Sequence, residues 1–143
     1  FDGVINYKTE SGNLEAAIRA ECPDGVDVFF DNVGGETLDA ALLNLRDNAR
    51  IVFCGSISSY NASEPVPGPY NYWQILAKNA VVKGFLVSAY FDRFESGAAA
   101  LAELLVDEKI DFKYQIVEGF DNTLSAFHKL FDGSNTGKLM LKV

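Results

Sequence analysis

The sequence predicts an α/β fold: a doubly wound parallel sheet, incomplete at its N-terminal side, followed by a strand–helix–strand tail. Three observations carry this. Short β-rich runs alternate with segments whose apolar residues recur at helical spacing. One run, Arg50-Ile51-Val52-Phe53-Cys54-Gly55, is almost continuously apolar, as strands covered on both faces of a parallel sheet are. The order βαβαβ, loop, αβα is that of a doubly wound unit.

Each element has its own signal. Val4 to Tyr7 is short, β-rich and bounded by Gly3 and the polar Thr9-Glu10-Ser11-Gly12. Asn13 is placed to cap a helix carrying Leu14, Ala17 and Ile18, which ends near Cys22-Pro23. Asp24-Gly25 turns into a strand over 26–30, which stops at Asp31-Asn32-Val33-Gly34-Gly35. Leu38, Ala41, Leu42, Leu45 and Ala49 sit at helical spacing and predict the second helix. After the strand ending at Gly55, residues 56–70 read as a loop broken by Pro65, Pro67, Gly68 and Pro69. A helix over about 72–79 precedes a strand from Val81 to Val87, and Ala98, Leu101, Leu104 and Leu105 mark another helix. The tail reads as a strand from Gln115 to Phe120, a helix from Thr123 to Phe131 stopped by Gly133, and a strand from Lys138 to Val143. Residues 1–111 are expected to form one domain's C-terminal part, and 112–143 a tail returning to another domain.

Composition narrows the function classes. The 143 residues suffice for one sizeable core and are too few for two ordinary domains. Hydrophobic residues make up 48%, a globular composition, and the net charge of −8 argues against nucleic-acid or anionic-membrane binding, which need a basic face. No apolar run approaches the roughly 20 residues of a membrane helix, and Phe1-Asp2 opens no signal peptide. A soluble, cytoplasmic protein is expected, with Cys22 and Cys54 reduced. The abrupt start in a strand predicts a fragment lacking earlier strands.

In open α/β sheets ligands sit beyond the carboxyl ends of the strands. Two strand ends stand out: Asp31-Asn32-Val33-Gly34-Gly35, and Cys54-Gly55-Ser56-Ile57-Ser58-Ser59-Tyr60. Glycines allow a close ligand approach, while Asn, Ser and Tyr supply directional hydrogen bonds. The competing explanation is that the glycines only turn the chain. Two such segments at adjacent strand ends favour a nucleotide-like ligand, although no G-x-G-x-x-G loop is present. His128, the only histidine, sits on a helix beside Leu124 and Phe131 and reads as structural. Cys54 reads as a packed thiol, and no Cys/His cluster has the spacing of metal ligands.

Phe30 to Gly35, then Cys54 to Asn61, then Asn135-Thr136-Gly137-Lys138 resemble the zinc-independent medium-chain dehydrogenases/reductases. Within them the chain is most similar to the prostaglandin reductase/leukotriene hydroxydehydrogenase group and its curcumin-reductase-like relatives. The resemblance implies the C-terminal part of a Rossmann-type cofactor domain, without its first strands and glycine loop. It also implies NADP(H)-dependent reduction of the double bond of α,β-unsaturated ketones or aldehydes, without a metal. Tyr7 matches a tyrosine at the adenosine 2′-phosphate, with Lys8 beside it, and Asn32 an asparagine at the phosphate–ribose region. Cys54, Gly55, Ser56, Ile57, Ser58, Ser59 and Tyr60 match the loop along the nicotinamide half. Phe85, Leu86 and Val87 match a backbone segment facing the carboxamide, and Asn135 an asparagine closing over the nicotinamide. Tyr60 is the hydroxyl best suited to support the developing charge, with a cofactor ribose hydroxyl as competitor. Three alternatives stand beside this reading: a quinone oxidoreductase of the same superfamily, a non-catalytic nucleotide-binding module, and a dimerisation module pairing through the edge near Val81 to Val87.

Overall fold

A computed structural model describes all residues 1–143. The chain forms two compact units, Phe1–Val87 and Ser88–Val143.

The first unit holds α1 (Leu14–Glu21), β1 (Val26–Asp31), α2 (Gly35–Leu43), β2 (Leu45–Phe53), α3 (Gln74–Ala77) and β3 (Val81–Gly84). The strands form one sheet in the order β1-β2-β3, with both pairings parallel. The predicted strand–helix–strand alternation is therefore present, but the run at 50–55 is not covered on both faces as expected, since Ile51 is buried, Val52 half-buried and Phe53 exposed. Because side chains alternate across a strand, the register puts Phe29, Ile51 and Val82 in one row across the sheet. That face carries the core: Leu42, Leu45, Ala49 and Ile51 are buried, with Val26, Phe29, Leu38, Ile75 and Ala80 packed on them. Full burial of Leu42 and Ile51 stabilises by about 1.5–3 kcal/mol each. On the opposite face Val28 and Phe30 are exposed.

Four further sequence expectations are corrected. Val4 to Tyr7 is not a strand, since a strand exists only as a pairing and no strand of the chain pairs with it. Leu45 and Ala49 belong to β2, not to the second helix. α2 ends at Leu43 because Asn44 follows with φ −109°, its side-chain amide donating to Ala40 O at 2.9 Å and Glu15 O at 3.0 Å. Both apolar residues still reach the core, which is why a helical period fitted them. The third strand stops at Gly84, with one further bond, Phe85 N to Phe53 O at 2.9 Å; Val87–Arg93 then forms 3₁₀ turns kinked at Tyr90. Asn13 occupies the cap position of α1 without a capping bond from its side chain, which instead donates to Glu10 Oε2 at 3.4 Å.

The second unit holds α4 (Phe94–Val106), β4 (Tyr114–Glu118), α5 (Thr123–Asp132) and β5 (Lys138–Lys142). β4 and β5 pair in parallel, so the predicted strand–helix–strand tail is a βαβ unit. Gly133 follows the last residue of α5, as expected. Phe120 lies just past β4, in a 3₁₀ turn. Ala126 is the only buried hydrophobic residue of this unit.

Candidate functional site

β1 and β2 are adjacent and parallel, so their carboxyl ends emerge together. Hydrogen bonding continues beyond the strands. Cys54 N and Gly55 N both donate to Asp31 O, at 2.8 and 3.0 Å, Ile57 N donates to Asn32 O at 3.1 Å, and Ser58 N to Val33 O at 3.1 Å. The Ser58 hydroxyl adds a 2.6 Å bond to the same Val33 oxygen. The two segments singled out by sequence are thus stitched into one surface at the edge where α/β sheets bind ligands.

The β1 turn is organised by a residue that sequence reasoning passed over. Asp31 is fully buried, and its Oδ1 accepts from Val33 N and Gly34 N, both at 2.9 Å. Its Oδ2 is buried with no hydrogen-bond partner, an arrangement that costs free energy. Gly34 then takes φ 69°, ψ −155°, a region closed to other residues. A Cβ on Gly34 would stand 2.5 Å from Ser56 Oγ, and one on Gly35 3.0 Å from Ser58 Oγ. Only a glycine pair lets the serine loop pack this closely.

The β2 turn is held by its own hydroxyls. Ser59 Oγ donates to Ser56 O at 2.8 Å and lies 3.1 Å from Ser56 Oγ. Ile57–Ser59 forms one 3₁₀ turn, which brings Tyr60 back over the loop. There the tyrosine oxygen accepts from Ser56 N at 3.3 Å while the ring stays exposed. The Asn32 side chain is exposed, and the Cys54 thiol is half-buried and free.

A cleft of about 570 Å³ adjoins this surface. Its walls are the start of α2 with Gly34 and Gly35, Phe53, Ser56 and Ser59, and the loop Val66 to Asn71. Asn71 fastens that loop to α2: its N–H donates to Asp39 Oδ1 at 2.9 Å and its side-chain amide to Asp39 O at 3.3 Å. The prolines at 65, 67 and 69 announced a break in the sequence. They carried no sign that the segment would form a wall.

The other candidates fall in three places. Phe85 follows β3 at the same edge of the sheet, its ring 5.6 Å from that of Phe30, and Leu86 and Val87 beyond it are exposed. Tyr7 and Lys8 lie on an exposed turn, which a bond from Gly12 N to Glu36 Oε1 at 2.8 Å ties to the first turn of α2. Asn135 is in the second unit, where its side-chain amide donates to Gly137 O at 3.1 Å.

No three His, Cys, Asp or Glu side chains are gathered as metal ligands. No helix is long and apolar enough to cross a membrane.

Known proteins match this chain over its whole length. The chain is 46% identical over its whole length to YfmJ of Bacillus subtilis, an NADP-dependent oxidoreductase by its provisional name, and spans 42% of that protein. It is 35% identical, again over its whole length, to the NADP⁺-dependent 2-alkenal reductase of Nicotiana tabacum, spanning 41% of it. The crystal structure of CurA from Vibrio vulnificus in complex with NADPH superimposes with a TM-score of 0.86 at 33% identity, over all of this chain and 43% of CurA. The chain thus spans about two-fifths of the length of the proteins it matches. Residues 1–103 match the family model for zinc-binding dehydrogenases, and the chain belongs to that family.

Proposed function

We propose that this chain carries part of the cofactor site of a cytoplasmic NADP(H)-dependent oxidoreductase that reduces the double bond of α,β-unsaturated ketones and aldehydes. The observation that carries the reading is the stitched pair of strand ends. They present the Asn32 side chain, the hydroxyls of Ser56 and Ser58 and the phenol of Tyr60 at the carboxyl edge of a parallel sheet.

This donor set fits the nicotinamide half of the cofactor: neutral hydrogen-bonding groups on a glycine-lined surface that a flat ring and a ribose can approach. Asn32 would hold the ribose region, Cys54 to Tyr60 would line the nicotinamide, and the backbone from Phe85 to Val87 would face its carboxamide. Tyr7 and Lys8 would meet the adenosine end, and Asn135 would close over the ring. When bound, the cofactor would supply hydride for the β-carbon of the enone, and the negative charge that develops would fall on the carbonyl oxygen.

The chain's own residues then align and stabilise. Because the Tyr60 oxygen already accepts Ser56 N–H, its own proton remains available for donation to that carbonyl oxygen. Residues 1–111 would belong to the cofactor domain and 112–143 to the returning tail. β3 is an exposed edge strand, where a second copy of the chain would pair.

The natural full-length protein should oxidise NADPH when given 2-alkenals or cyclic enones, read as loss of nicotinamide absorbance, and chelator should change nothing. No loss with any enone, or turnover with quinones alone, would overturn the substrate class. Tyr60→Phe should lower turnover while leaving NADPH affinity near wild type. The lost hydrogen bond accounts for roughly 2–4 kcal/mol at most.

A further inference from the structure

Glycines 34, 35 and 55 crowd the same surface, and they are there for different reasons. Gly34 and Gly35 have φ of 69° and 52°, so the backbone itself demands glycine. Gly55 has no positive φ. An alanine could follow its backbone without strain, so conformation does not explain it. What a side chain at 55 would meet does. A Cβ built there stands 3.0 Å from the hydroxyl oxygen of Tyr60 and 3.4 Å from Asn32 O.

Little else fixes that hydroxyl. Tyr60 is 67% exposed, so packing does not lock its ring, and one bond from Ser56 N, at 3.3 Å, holds its oxygen. That bond is just longer than the usual N–H···O range. A shift of a few tenths of an ångström would break it.

We propose that Gly55 is a positioning residue: its absent side chain leaves the space that the Tyr60 hydroxyl occupies, and so sets where that hydroxyl's proton is presented to the substrate carbonyl. This rests on the reading of Tyr60 as the supporting donor. The exposed phenol can swing aside to admit a methyl group, so Gly55→Ala is cheap for the fold. With the oxygen displaced from Ser56 N–H, the phenol loses its fixed orientation. Transition-state stabilisation falls even though the hydroxyl is still present, because a donor helps only when held where charge develops.

The test is a double-mutant cycle in the natural full-length protein, using NADPH with trans-2-hexenal. Gly55→Ala, Tyr60→Phe and the double variant are compared by kcat, KM, NADPH affinity from fluorescence titration, and thermal unfolding. Gly55→Ala should lower kcat about tenfold, the scale of one hydrogen bond. Its NADPH affinity should stay near wild type and its melting temperature within about 2 °C of it. In the Tyr60→Phe background the same substitution should have no further effect on kcat.

Equal losses in both backgrounds would overturn the proposal, since Gly55 would then act without Tyr60. So would a Gly55→Ala protein that turns over normally, or one whose NADPH affinity falls as much as its kcat, which would make the loop's shape the cause. Tyr60→Phe with unchanged turnover would instead remove Tyr60 from the mechanism. That outcome is separate from a failure of Gly55 alone.

Discussion

The turns that follow β1 and β2 bond to each other, yet they are held in different ways. The β1 turn is fixed from inside: a buried carboxylate accepts two backbone N–H groups, and two glycines adopt conformations that other residues avoid. The β2 turn is fixed from outside, by serine hydroxyls and an exposed tyrosine bonding to backbone atoms. A buried bond that loses one partner leaves the other unsatisfied, whereas an exposed one is replaced by water. Substitutions in the first turn should therefore appear as lost stability. In the second they should appear as lost alignment of a group that the fold does not need.

The sharpest way to break this contrast is Asp31→Ala. It strands the N–H groups of Val33 and Gly34, which the carboxylate now satisfies at 2.9 Å each. An unsatisfied buried donor costs about 1–3 kcal/mol, so a net loss of about 2–4 kcal/mol is expected. The lower part of that range is favoured because the unpartnered Oδ2 disappears as well. Asp31→Asn keeps an acceptor and should lose less. Urea unfolding of the two variants checks the order, and equal losses would show that the charge, not the two N–H bonds, matters.

Next in size is Gly34→Ala. Its φ of 69° costs a non-glycine residue about 1–3 kcal/mol, and its Cβ would overlap Ser56 Oγ, 2.5 Å away. At Gly55, alanine should cost under about 0.5 kcal/mol. Two neighbouring Gly→Ala changes thus separate stability from function. If both destabilise alike, the two turns are not built differently after all.

The candidate site was legible in the sequence because its signal is local. Asn32, Gly34 and Gly35 follow one apolar run, Gly55 to Tyr60 follow the next, and parallel strands bring such ends together. What stayed hidden depends on burial or on pairing. Asp31 reads as one more acidic turn residue until it is seen to be inaccessible to solvent. Leu45 and Ala49 obey a helical period because both face the core, from a strand that begins one residue after the helix's C-cap. Val4 to Tyr7 has strand composition, but pairing takes two strands, and composition names only one. Asp39 as the anchor of Asn71 is a contact 32 residues apart in sequence, and no local pattern encodes it.

The smallest effect comes from a second copy of the Asp31 device, placed in the open. At the last residue of α5, Asp132 Oδ1 accepts from Ser134 N at 2.8 Å, the same bond to the residue two ahead that Asp31 makes to Val33. Here the carboxylate is exposed, so water replaces whatever is lost. Its carboxyl is held below the ordinary carboxylate value of 3.8, chiefly by the Ser134 hydroxyl, then by the Ser134 N–H, with the charges of Lys129 and His128 helping. A depressed carboxylate contributes its stability above the unfolded value and loses it as pH falls through the folded one. Any pH dependence from Asp132 therefore lies on the acid side, below 3.8, and neutral solution should show none. Ser134→Ala should lower stability at neutral pH only slightly, far less than Asp31→Ala does, and leave it unchanged in acid, where Asp132 is protonated. It should also raise the Asp132 titration midpoint toward its ordinary value, followed by NMR of the side-chain carboxyl carbon. A loss of stability at neutral pH like that of Asp31→Ala would mean that the hydrogen bond, not its burial, sets the cost, and the contrast between the two turns would fail with it.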